Sequence, residues 1–168
     1  EANGGTVILK HNLEVNEEYW DGEQPFRITS ADPNNPRELT LLRDDWFLEN
    51  TNAPQAALKI DNVNLYSSLQ YINIWGRGNK VVIGENVWVN PNKTTRVWGG
   101  SDSSNTTTGY PTNVVVMSAD WDYVCGGGRK NIPAGTTVTI GGTANVGTLY
   151  GGGMENCTVG TPNGENTD

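Results

Sequence analysis

Asp120 and Asp122 are the residues of this 168-residue chain best spaced for acid–base or metal chemistry. On a strand, residues i and i+2 project from one face, so the two carboxylates could flank a cation or act across a bound sugar. Asp44 and Asp45 are adjacent and would point to opposite faces unless they sit in a loop. Neighbouring runs supply no stacked partner for Asp120 and Asp122, since 83–89 offers only Glu85 and 140–146 offers no acid or arginine. The single histidine, His11, reads as a solvated surface residue, and neither a Ser-His-Asp nor a Cys-His arrangement can be assembled around it. Calcium could be held at Asp120 and Asp122 or among Glu14, Glu17, Glu18 and Asp21, but no EF-hand pattern supports it and no cofactor is expected. The chain is read as non-catalytic.

Aromatic residues offer a different chemistry, that of binding. Tyr19 and Trp20 lie in the acidic stretch Asn16–Gln24, Trp46 stands beside Asp44 and Asp45, and Tyr110 lies in Ser101–Thr112. These stretches interrupt the chain's own repeat, and loops leaving a rigid scaffold are where binding residues concentrate. Their side chains could stack on sugar rings, anchor a protein partner, or fold back as caps over the scaffold's ends. Asp120-Trp121-Asp122 joins the candidates because two carboxylates around an aromatic suit a basic or hydroxyl-rich ligand. The expected ligand-binding set is therefore Tyr19, Trp20, Tyr110, Asp120, Trp121 and Asp122.

What must position these residues is a β scaffold. Eleven short apolar alternations punctuate the chain, among them Val7-Ile8-Leu9, Leu58-Lys59-Ile60, Val87-Trp88-Val89 and Val138-Thr139-Ile140. Each ends in Gly, Asn or Asp, and no stretch keeps helical spacing for more than about two turns. Four units repeat an apolar residue, a bulky residue and then glycines: Ile74-Trp75-Gly76, Val97-Trp98-Gly99, Val124-Cys125-Gly126 and Leu149-Tyr150-Gly151. Their starts are 23, 27 and 25 residues apart. A unit of this length cannot bury its own apolar face, which predicts a stacked solenoid over 1–168 with six or seven coils. Trp75, Trp98, Cys125 and Tyr150 should then form one column, with the aromatics read as an interior ladder. Trp88 and Trp121, each five residues after a β run, carry the same expectation of stacking. Gly126 and Gly151 are expected at corners where glycine permits either positive φ or close approach between coils, and asparagines are expected to share those corners and ladder from coil to coil. The alternative architecture is an antiparallel β-sandwich, which would leave the glycine recurrence unexplained.

Ala57-Leu58-Lys59-Ile60-Asp61-Asn62-Val63-Asn64-Leu65, with the two Gly-Gly-Gly units at 124–128 and 149–153, resembles the right-handed parallel β-helix repeats of bacterial surface adhesins of gut anaerobes. The resemblance covers 57–160 well and 1–56 loosely. It implies a right-handed β-helix cut from a larger extracellular surface protein, and it carries no catalytic residue across. Cys125 and Cys157 would fall on neighbouring coils, where a disulfide closing 32 residues would add about 3–4 kcal/mol. The alternative is a small core hydrophobe at Cys125 and a thiol at Cys157.

Charge narrows the partners. The formal net charge is −8, with 11 acids against 4 bases in residues 1–50, which argues against nucleic acid. No apolar run approaches the ~20 residues of a membrane span, so membrane insertion is not expected. Three Asn-x-Thr sequons, at Asn92, Asn105 and Asn156, would matter only in a eukaryotic secretory route. The reading reached is a monomeric, extracellular bacterial binding module for a host glycoprotein, mucin or immunoglobulin included. The alternatives are a carbohydrate-binding module, a fragment of a polysaccharide-degrading enzyme, and a pure spacer.

Overall fold

The computed structural model describes residues 5–17, 19–21, 25–49, 57–102, 111–129 and 135–154. It is all-β, with no helix among the described residues, and its sixteen short strands wind into a parallel β-solenoid of about 5 turns. The first coil holds β1 (Gly5–Leu9), β2 (Leu13–Val15) and β3 (Tyr19–Asp21), and the second β4 (Phe26–Ser30), β5 (Arg37–Leu41) and β6 (Asp45–Glu49). The third holds β7 (Ala57–Asp61), β8 (Val63–Ser67) and β9 (Tyr71–Trp75), and the fourth β10 (Lys80–Ile83), β11 (Val87–Val89) and β12 (Thr94–Trp98). Among the described residues the last two coils carry two strands each: β13 (Thr112–Val116) with β14 (Asp120–Cys125), and β15 (Thr136–Ile140) with β16 (Asn145–Tyr150).

Stacking the coils makes three parallel sheets. Sheet A runs β1-β4-β7-β10-β13-β15, sheet B β11-β8-β5-β2, and sheet C β16-β14-β12-β9-β6-β3. All eleven apolar alternations lie in strands, and their inward members make the core: Ile28, Ile60, Ile83 and Val116 from sheet A, Leu39, Leu65 and Val89 from sheet B. Six strands of sheet A are separated by five full steps, so the chain makes about 5 turns where six or seven coils were expected. Equivalent residues Gly5, Phe26, Leu58, Val81, Val114 and Val138 mark steps of 21, 32, 23, 33 and 24 residues. The two long steps contain residues 50–56 and 103–110, which lie outside the described residues.

Two corners are turned by asparagine, while Arg77 and Ala119 also take positive φ. Between sheets A and B, Asn62 and Asn86 take φ of 50° and 54°, and Asn86 Nδ2 donates to Asn62 Oδ1 at 3.0 Å. Short amide side chains tolerate this left-handed backbone and satisfy one another across the stack. Of the two reasons for glycine at these corners, positive φ does not apply, since neither Gly126 nor Gly151 has one. Gly126 is required by space instead: an added Cβ would run into the carbonyl oxygen of Gly151 on the next coil.

The bulky column exists in the expected register. Trp75, Trp98, Cys125 and Tyr150 are consecutive cross-strand partners, and the column continues back through Phe47 to Tyr19. Trp75 and Trp98 stack with ring centroids 4.5 Å apart at 7°, and Phe47 lies 6.0 Å beyond Trp75. It is not part of the main core. Strand alternation sends Val97 inward and Trp98 to the opposite face, so these residues, with Met154, form a second cluster. The guanidinium of Arg77 sits 4.2 Å from the Phe47 ring and that of Arg129 5.9 Å from Trp98.

Candidate functional site

Coil 5 has no strand in sheet B, and that one omission shapes the surface. Where β11 would meet a further strand, the chain passes directly from β13 to β14 through Met117-Ser118-Ala119. Ser118 closes the step: its hydroxyl accepts from Val87 N at 3.0 Å and donates to the Gly84 carbonyl at 2.5 Å. Sheet B therefore stops at β11, and Trp88 stands on its outermost strand.

Val87 and Val89 point inward and are buried, so Trp88 points outward and is 44% exposed. Tyr66 projects from the same face of β8, its ring centroid 5.2 Å from that of Trp88 and tilted by 49°. In successive strands the register carries the face on from Trp88 to Asn64 to Glu38, and beside it from Tyr66 to Thr40 to Glu14. Asn12 Nδ2 donates to Glu38 Oε2 at 3.1 Å, extending the polar row to the first coil. Two tilted rings thus stand at the head of a flat strip of amide, hydroxyl and carboxylate groups. The repeat along that strip is one strand spacing, about 4.8 Å.

The described residues of the expected binding set belong to strands of sheet C rather than to this face. Tyr19 and Trp20 do not interrupt the repeat: they form β3 and pair with Phe47 and Leu48, although their side chains, like all of Tyr110, lie outside the described residues. Trp46 and Trp121 are core residues at 2% exposure, facing inward because their strand neighbours Asp45, Asp120 and Asp122 face out. Trp121 Nε1 donates to the Ser118 carbonyl at 3.1 Å, so it offers nothing to a partner. Asp120 and Asp122 are both exposed on either side of the buried Trp121. Asp122 Oδ2 accepts from Thr95 N at 2.8 Å, standing in for a backbone ladder bond between β12 and β14. Asp44 accepts from Tyr71 N at 2.9 Å, and Asp45 from Asn73 Nδ2 at 2.9 Å and Trp75 Nε1 at 2.8 Å. Cys125 is buried in the second apolar cluster, and its expected partner Cys157 lies outside the described residues. His11 is exposed, as its place in the first coil suggested. Among the described residues no three His, Cys, Asp or Glu side chains converge on a metal position.

Sequence reasoning missed Trp88 and Tyr66, although their signal was present. In Val87-Trp88-Val89 and Val63-Asn64-Leu65-Tyr66 the alternation that places the valines and leucine inside places both aromatics outside.

Sheet A carries the clearest electrostatic feature. The Asp61 carboxylate, 5% exposed, is clamped by Arg27 NH2 at 2.9 Å and Lys59 Nζ at 2.8 Å, beside a cavity of about 390 Å³ lined also by Glu85 and Met117. Burial works to raise its pKa, but hydrogen bonds from Lys59, Arg27 and Thr29 outweigh it and leave it below the ordinary value. A depressed folded-state pKa adds stability above the unfolded value and loses it as pH falls through the folded one. Urea midpoints of the parent should accordingly drop as pH falls from 5 towards 2. Asp61→Asn should start lower at pH 7 and converge on the parent in acid; parallel curves would deny Asp61 this part.

No family model matches the chain, and no curated protein and no solved structure matches it. Fold and surface together define its class: a parallel β-solenoid with a narrowed end and an aromatic-headed outer face. No helix among the described residues is long and apolar enough to cross a membrane.

Proposed function

We propose that the chain is a non-catalytic binding module that holds a glycan along the outer face of sheet B, with Trp88 and Tyr66 as its stacking platform. The outward-facing ring pair, Trp88 exposed and Tyr66 half-buried, carries this reading. Aromatic faces present apolar area at little entropic cost, and the amide, hydroxyl and carboxylate groups beyond them suit a hydroxyl-rich chain. The strand spacing is comparable with the length of one pyranose in an extended oligosaccharide, so each coil would meet one sugar. A non-catalytic role is supported by the carboxylates, since Asp44, Asp45, Asp61 and Asp122 are all committed to structural hydrogen bonds. The adhesin-like repeats, with a composition rich in Asn, Thr and Gly, support placing the parent protein outside a bacterial cell and the glycan on a host glycoprotein such as a mucin.

A glycan array probed with the 168-residue chain, with affinities then measured by calorimetry, tests the reading. Trp88→Ala and Tyr66→Ala should each weaken the bound glycan by about thirtyfold, the loss typical of an aromatic anchor. Because Trp88 is half exposed, its melting temperature should move by only a few degrees. Binding that survives both substitutions would move the site elsewhere, and protein capture insensitive to competing sugar would replace the glycan by a peptide epitope.

A further inference from the structure

Around the corner from the Trp88 platform, on the outer face of sheet C, stands an arginine held like a tool rather than a strut. Arg96 on β12 projects between Tyr71 of β9 and Tyr123 of β14, its Cζ 5.0 Å and 5.4 Å from the two ring centroids. Asn73 and Tyr123 are its cross-strand partners, and Arg96, Tyr71 and Tyr123 are all half-buried. Among the described residues no carboxylate lies within ion-pairing distance of it, in contrast to Arg27 and Lys59, which are both spent on Asp61. Asp122, next to Tyr123, turns one carboxylate oxygen to Thr95.

We propose that Arg96 is a specificity-determining residue that binds the carboxylate of an acidic sugar. Two flanking rings fix the guanidinium plane, so little rotamer entropy remains to be lost when a ligand arrives. A planar fork of N–H donors fits a carboxylate through two parallel charge-assisted bonds, which a neutral hydroxymethyl group at the same position could not accept. In a chain of net charge −8 the long-range field does not draw anions in. The preference must therefore come from direct contact and so be chemically selective. This inference rests on the glycan reading and deepens it, since the segments 67–71 and 89–94 lead directly from the Trp88–Tyr66 face to Tyr71 and Arg96.

The experiment uses the 168-residue chain and three matched oligosaccharides that differ only in a terminal glucuronate, glucose or glucose 6-sulfate. The parent should bind the glucuronate form at least tenfold more tightly than the glucose form. Arg96→Gln should bring the glucuronate form to the level of the neutral one without changing the latter, and Arg96→Lys should fall between. Trp88→Ala should weaken all three equally. Equal affinity for acidic and neutral forms, or an Arg96→Gln loss shared by the neutral sugar, would overturn the role of Arg96 while leaving the platform intact. An Arg96-dependent preference for the sulfate would overturn the carboxylate assignment. A chain that binds none of the three but captures protein would remove both readings together.

Discussion

Gly126→Val is expected to cost about 3–5 kcal/mol of stability, and at growth temperature to leave little folded protein. Strand β14 ends at Cys125, and Gly126 N donates to the Tyr150 carbonyl at 2.9 Å, which pins the corner against the next coil. A Cβ there would meet the Gly151 carbonyl oxygen well inside contact distance, Val138 Cγ2 at 2.8 Å and Thr136 Cβ at 3.0 Å. The first of these is backbone in an adjoining coil, so no rotamer change relieves it; the coils would have to separate. Gly151, one step along the same column, has nothing within 4 Å of its added Cβ, so Gly151→Val should leave the melting temperature within about 2 °C. Thermal denaturation of the two variants side by side is decisive. If both are destabilised alike, backbone conformation rather than coil-to-coil clearance is what glycine serves here.

Trp98→Ala is expected to cost about 3–5 kcal/mol, the usual toll of removing a fully buried large aromatic. Trp98 is 0% exposed, stacked on Trp75, and in register with Cys125. Its loss would leave a cavity in a cluster of few members, walled on one side by a strand that cannot move without breaking its ladders. Trp88→Ala, by contrast, should cost under about 1 kcal/mol, because much of the ring already faces water. Chemical denaturation midpoints for the two variants therefore separate a structural tryptophan from a presented one. Equal losses would mean that Trp88 is braced by the fold, and would weaken its claim to a ligand.

Much of this architecture could be read directly from the chain. Strand alternation has a period of two whatever the surroundings, so Val81-Val82-Ile83 and its ten counterparts announced both their strands and their inward residues. The glycine-terminated repeat likewise announced the column of Trp75, Trp98, Cys125 and Tyr150, because equivalent positions in a solenoid stack by construction. The same alternation held information that went unused: Trp121 lies between two outward aspartates and must be inside, whereas Trp88 lies between two inward valines and must be outside.

Other features were set only by how coils of unequal length lie on one another. Trp88 and Trp121 each follow a sheet A strand by five residues, yet one enters a strand of sheet B and the other a strand of sheet C, because coil 5 turns at Ser118 and omits a side. No local pattern marks that omission. The meeting of Tyr71, Arg96 and Tyr123 has the same origin, since their separations of 25 and 27 residues become neighbours only once each corner length is known. Shifting a register by one residue would send Arg96 into the core and Val97 to the surface. Composition and period thus determined that the chain is a β-solenoid and which residues line it. The stacking of its coils decided which outward residues stand together, because that depends on contacts between segments the sequence keeps far apart.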